Sequence, residues 1–115
     1  MAKQEKNLLD LIPERNCRWE AAEDGRIYLL VPRFKNKIMR RIGLSFGRSE
    51  WVKIFFDEIG TRSWDLIDGR RTVSEIGVKL ETELGEKVKP VYERLVEFIV
   101  ILSRNRFVVF KNHKL

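Results

Sequence analysis

A chain of 115 residues and 13.7 kDa is expected to form a single domain over residues 1–115, with no room for two sizeable cores. Its 43% apolar and 35% charged residues, with seven Phe, three Trp and two Tyr, describe a globular rather than a disordered chain. One Cys and one His exclude a disulfide framework, a zinc site of the usual ligand type and a Cys/His catalytic pair, so neither metal nor cofactor is expected.

The longest apolar run, 98–102, is far short of the ~20 residues that span a bilayer. The first twelve residues carry Asp10 inside their apolar patch and show no small-residue cleavage site. No secretory signal is expected, and with Cys17 free the expected compartment is the cytoplasm.

In chain order, residues 8–12 form a small apolar patch stopped by Pro13, which reads as a turn of helix or a packed arm. Residues 17–21 and 27–31 are strand-like, and the Asp24-Gly25 pair between them signals a hairpin. Phe34, Ile38 and Ile42 recur at helical spacing, which predicts a short amphipathic helix up to Gly43 and a loop over 43–49. Residues 51–56 form a third strand. Alternation puts Val52, Ile54 and Phe56 on the core face and Trp51, Lys53 and Phe55 on the other.

Asp57 is placed to cap a first long helix over 58–67, which Asp68-Gly69 ends. Thr72 and Glu75 form a capping box. The second helix that it opens carries Val73, Ile76, Leu80 and Leu84 on one stripe and stops at Gly85. Pro90 starts a third helix with a core stripe of Val91, Leu95, Phe98, Ile99 and Leu102. Asn105 stands where a left-handed residue is expected, residues 107–110 close the fold as a short strand, and 111–115 read as a flexible tail. The result is an α+β, winged helix-turn-helix-like domain: a three-stranded antiparallel sheet, three helices and a short C-terminal strand.

Little here points to catalysis. His113 reads as a solvated bystander in a basic tail and Cys17 as a small core hydrophobe. No nucleophile elbow, dinucleotide fingerprint or Walker loop is present, and the glutamates of the helices fall on polar faces. The protein is therefore not expected to be an enzyme.

The charge is uneven. Residues 33–50 hold Arg33, Lys35, Lys37, Arg40, Arg41 and Arg48 against Glu50 alone, so five of the six net positive charges lie in that basic insertion. A pI near 9.7 on such a fold allows a winged-helix nucleic-acid-binding protein as the alternative reading. Against it, the second and third long helices each carry glutamates that a major-groove helix would have to offset. The segment, through Arg33, Lys35, Lys37, Arg40 and Arg41, is expected instead to dock an acidic partner.

Trp51 and Phe55 on the outer face of the third strand admit two readings. Either the 33–50 segment or a second copy of the chain covers them, or the strand edge docks an extended peptide. In the second case Trp51, Lys53, Ile54 and Phe55 would grip the peptide. Tyr92, Val96 and Val100, the surplus apolar side of the third helix, would form the opposite wall, with dimer contact or core as their other reading.

Residues 56–60, Phe-Asp-Glu-Ile-Gly, and 64–76, Trp-Asp-Leu-Ile-Asp-Gly-Arg-Arg-Thr-Val-Ser-Glu-Ile, resemble the hallmark stretch of the PqqD family. Leu95 to Asn105 and the closing 107–110 resemble that family's ending, so the likeness covers about 14–110. The resemblance implies a recognition element for ribosomally made, post-translationally modified peptides. In it the precursor's leader adds as a strand to the third strand's edge, in a cleft against the third helix. The domain would then present the precursor to a modifying enzyme, often a radical SAM protein. Asp57 stands where the family commonly has Asn, and Asn105 where Gly is usual. The 33–50 insertion replaces a short connection, which favours a peptide pathway other than quinone-cofactor synthesis.

Overall fold

The computed structural model of the chain describes residues 8–112. Its elements are β1 (Pro13–Arg15), β2 (Arg18–Ala21), β3 (Ile27–Pro32), α1 (Lys37–Ser45), β4 (Trp51–Phe55), α2 (Glu58–Leu66), α3 (Val73–Leu84), a 3-10 turn (Gly85–Val88), α4 (Val91–Arg104) and β5 (Val108–Phe110). Residues 8–10 are also helical. The fold is α+β, and its elements sort into two compact units: residues 17–57, and the segment up to Asn16 together with residues from Glu58 onward.

The 17–57 unit is a three-stranded antiparallel sheet in the order β2-β3-β4, with α1 between β3 and β4 in the chain. The hairpin expected at Asp24-Gly25 is present. Gly25 takes φ +87°, where a Cβ would be strained, and the Asp24 carboxylate accepts from the Arg26 amide at 3.0 Å. One face of the sheet buries Ile27 and Leu29, with Phe56 just past β4. This agrees with the alternation read for 51–56. Cys17 lies just outside β2 and is half-buried rather than a core residue; burial pushes its thiol pKa up, which disfavours a nucleophilic thiolate.

The helix of the basic segment lies further along the chain than the spacing suggests. Gly43 does not end it: α1 runs through to Ser45, and Phe34 lies before it rather than on it. The Asn36 side chain caps the Met39 amide at 2.8 Å. At Gly43 an added Cβ would fall 2.0 Å from Phe34 Cζ, so the glycine is kept for a close approach that sequence spacing does not reveal.

In the other unit β1 pairs with β5, with Pro13 opposite Phe110 and Arg15 opposite Val108. This first strand was not expected, because three residues beginning with Pro carry no strand pattern of their own. Its partner lies some 95 residues along the chain. The capping box forms as read: Thr72 Oγ1 accepts from the Glu75 amide at 3.1 Å, and the Glu75 carboxylate accepts from the Thr72 amide at 2.8 Å. Trp64, Ile67, Val73, Ile76, Leu80, Leu95, Ile99, Leu102 and Val108 are buried in this unit's core. Arg62 joins α2 to α3 through a bidentate pair with Glu83.

Two readings of the C-terminal part are corrected. Asn105 has φ −92°, and the left-handed residue is Arg106 at φ 61°. The helix keeps one more right-handed residue because Asn105 bonds back to the Ile101 carbonyl through both its amide and its side chain. Lys111 and Asn112 are not frayed. The Lys111 amide donates to the Ile12 carbonyl, and the Asn112 side chain accepts from the Ile12 amide and donates to the Asp10 carbonyl. His113 lies outside the described residues.

Candidate functional site

β4 is an edge strand of its sheet, and its register decides which backbone groups face outward. Tyr28 stands opposite Phe55, Leu30 opposite Lys53 and Pro32 opposite Trp51. Just beyond the strand ends the Phe56 amide donates to Ile27 O, and the Arg33 amide donates to Glu50 O. Hydrogen-bonded pairs alternate along an antiparallel ladder, so Val52 and Ile54 bond to β3. The N–H and C=O of Trp51, Lys53 and Phe55 therefore point away from the sheet.

At Trp51 that edge is closed locally. The Ser49 hydroxyl donates to Trp51 O at 3.0 Å and accepts from Trp51 N at 3.2 Å. At Lys53 and Phe55 the outward groups have no hydrogen-bond partner among the described residues.

The outer face beside this edge is an aromatic and cationic layer. Phe55, 53% exposed, stacks on Tyr28 with ring centroids 4.9 Å apart. Lys53 Nζ sits 5.2 Å from the centre of the Tyr28 ring, and the Arg18 guanidinium 5.2 Å from that of Trp51. The Tyr28 hydroxyl donates to the Glu20 carboxylate at 2.7 Å, which holds the phenol pKa above its ordinary value. Cross-strand partners within the sheet thus cover part of Trp51 and Phe55. Arg18, Tyr28 and Ser49 were missed from sequence because their place beside β4 depends on register rather than on any local pattern.

Of the strand residues read as a grip, Trp51, Lys53 and Phe55 share the outer face. Ile54 has its side chain on the opposite face, half-buried, and its amide toward Leu29. Tyr92, Val96 and Val100 belong to the other unit, one turn apart on α4, each half-buried. Tyr92 lies against Gly77, where a Cβ would meet its Cε1 at 2.5 Å. Tyr92 and Val96 line a hollow of about 420 Å³ with Leu9, and Glu93 and Glu97 complete its lining.

In the basic segment Arg40 pairs with Glu50 at 2.6 Å, and Arg33 Nε donates to Ser49 O at 2.8 Å. Lys35, Lys37 and Arg41 are exposed and form no ion pair among the described residues. Among those residues no helix is long and apolar enough to cross a membrane.

An open strand edge with aromatic side chains beside it is the kind of surface to which extended peptides add as a further strand. The chain belongs to the PqqD family: the family model described as coenzyme PQQ synthesis protein D matches residues 51–108, just over half of it. No curated protein and no solved structure matches the chain. The family match begins at the first residue of β4 and ends at the first residue of β5, so α1 and the β2–β3 hairpin lie outside it. Membership points to a peptide-binding partner in the biosynthesis of ribosomally made, modified peptides. The family is a non-catalytic accessory one, which fits the expectation that this chain is not an enzyme.

Proposed function

We propose that the protein is a peptide chaperone that binds the leader of a precursor peptide by strand addition at the outer edge of β4. It then presents the precursor to a modifying enzyme, of the radical SAM class, in a cytoplasmic pathway other than PQQ synthesis. The observation that carries this reading is the pair of outward-facing backbone sites at Lys53 and Phe55, open beside an aromatic face. Main-chain bonds to these sites would supply affinity. Trp51, Lys53 and Phe55 would read the leader's side chains. The cations of 33–50 would speed encounter with an acidic partner or an acidic stretch of the precursor.

The test is a titration with any short peptide encoded beside the gene, using two proline variants. Lys53→Pro removes one outward donor and should abolish binding while leaving the melting temperature close to that of the parent. Ile54→Pro removes a donor to β3 and should lower the melting temperature markedly. Parental affinity in a folded Lys53→Pro variant would remove β4 as the docking edge. Tight, salt-sensitive binding to duplex DNA without peptide binding would establish the nucleic-acid reading instead.

A further inference from the structure

Helix α1 has an apolar face that the described residues leave uncovered. Ile38 is 72% exposed, Met39 52%, Ile42 48% and Phe46 82%. At helical pitch these four fall within about a third of the circumference, while Lys37, Arg40 and Arg41 take the opposite side. Because Gly43 admits the Phe34 ring against the helix, Phe34, Met39, Ile42 and Phe46 line a hollow of about 540 Å³, whose lining also includes Arg33 and Arg48. Exposed apolar side chains in one patch mark a surface whose cover comes from elsewhere. Lys35, Lys37, Arg41 and Arg48 have no ion pair among the described residues. The complement of this surface is therefore an apolar side chain flanked by carboxylates.

We infer that this hollow is a second docking site for the precursor peptide, receiving a bulky apolar side chain from an acidic segment of it. The inference rests on the strand-addition reading. Arg48 lies three residues before Trp51 in the same unit, a span of at most about 11 Å along the chain. Because Ser49 closes the edge at Trp51, a strand paired at Phe55 and Lys53 leaves the sheet there and continues as free chain. A concave site with arginines in its lining suits such a side chain better than a bilayer surface, which would use only the protruding stripe.

A random peptide library displayed on phage and selected on the full chain tests this, with synthetic copies of the selected peptides titrated by fluorescence anisotropy. Selected peptides should carry Phe or Leu between Asp or Glu. Their affinity should fall about tenfold or more in Phe46→Ser and in Arg48→Glu, both exposed positions, with the melting temperature unchanged. It should also weaken as salt rises from about 50 to 500 mM. A peptide that carries both the acidic segment and an extended apolar stretch should lose affinity in Lys53→Pro as well.

Selected peptides without acidic enrichment, or acidic ones that bind Phe46→Ser and Arg48→Glu as they bind the parent, would overturn the second site. If such peptides still failed on Lys53→Pro, strand addition would survive that loss. A peptide that carries both the acidic segment and the extended stretch, needs Phe46 and yet binds Lys53→Pro normally would remove strand addition, and with it the link between the two sites. Phe46-dependent binding to phosphatidylglycerol vesicles, with no acidic peptide selected, would make α1 a membrane-surface helix.

Discussion

Arg106 carries a left-handed backbone that costs a non-glycine residue about 1 kcal/mol, because its Cβ crowds the following carbonyl. Asn105, one position earlier, is right-handed and bonds twice to Ile101 O. Arg106→Gly should therefore stabilise the fold by up to about 1 kcal/mol. Asn105→Gly should destabilise it by about 0.5–1 kcal/mol, since it adds chain entropy and loses the side-chain bond. Denaturant melts of both variants read the two signs, and the opposite order would place the helix stop at 105. Sequence narrows such a turn to two or three residues. Which of them turns left depends on where α4 must release the chain to pair β5 with β1.

At the scale of elements, the α2–α3 connection is held by Asp68. Its partial burial raises the carboxyl pKa, but the amides of Arg70 and Arg71 and the Arg71 guanidinium outweigh that and hold it below the usual range. Glu83, hydrogen-bonded by Arg62 between α2 and α3, is shifted the same way. A carboxyl with a depressed folded-state pKa contributes stability above its unfolded value, and this is lost as pH falls through that value toward the folded one. The melting temperature should therefore hold from neutral pH down to about 4 and fall below it. Asp68→Asn should lower the neutral plateau and shrink the drop on acidification; an unchanged acid limb would mean that the carboxyl carries no such coupling. The capping box and the Asp68-Gly69 stop were both legible, because each is written within a few neighbouring residues. The extent of α1 was not, because Gly43 breaks a helical pattern in sequence yet fits the helix once Phe34 fills its place.

For the whole molecule, stability should concentrate where large side chains are fully buried. Trp64 and Ile76 are both 0% exposed, on α2 and α3. Trp64→Ala and Ile76→Ala should each cost roughly 2–5 kcal/mol, through lost transfer energy and an unfilled cavity. Melting within a degree or two of the parent would show these helices to present other faces to the core. The same scale governs charge. Five of the six net positive charges lie in 33–50, yet Arg40 is already committed to Glu50. Salt-dependent association should consequently fall more steeply for Lys37→Glu or Arg41→Glu, measured by stopped flow, than the loss of an already paired charge would suggest.

Sequence by itself determined what neighbours in the chain decide: the hairpin at Asp24-Gly25, the strand at 51–56 and its two faces, the capping box, the core stripes of α3 and α4, the basic segment and the family likeness. Each depends on periodicity or on a short motif, and neither needs a distant partner. Only the tertiary structure decided β1, whose three residues become a strand because β5 offers a ladder. It also decided the anchoring of Lys111 and Asn112 by Ile12 and Asp10. The parity of β4 was settled the same way: alternation gives the side-chain faces, but which amides face outward follows from the pairing with β3. That register turns Lys53 and Phe55 outward, engages Ile54 with Leu29 and sets Tyr28 beside Phe55, because hydrogen bonds between strands are fixed by residues that lie apart in the chain.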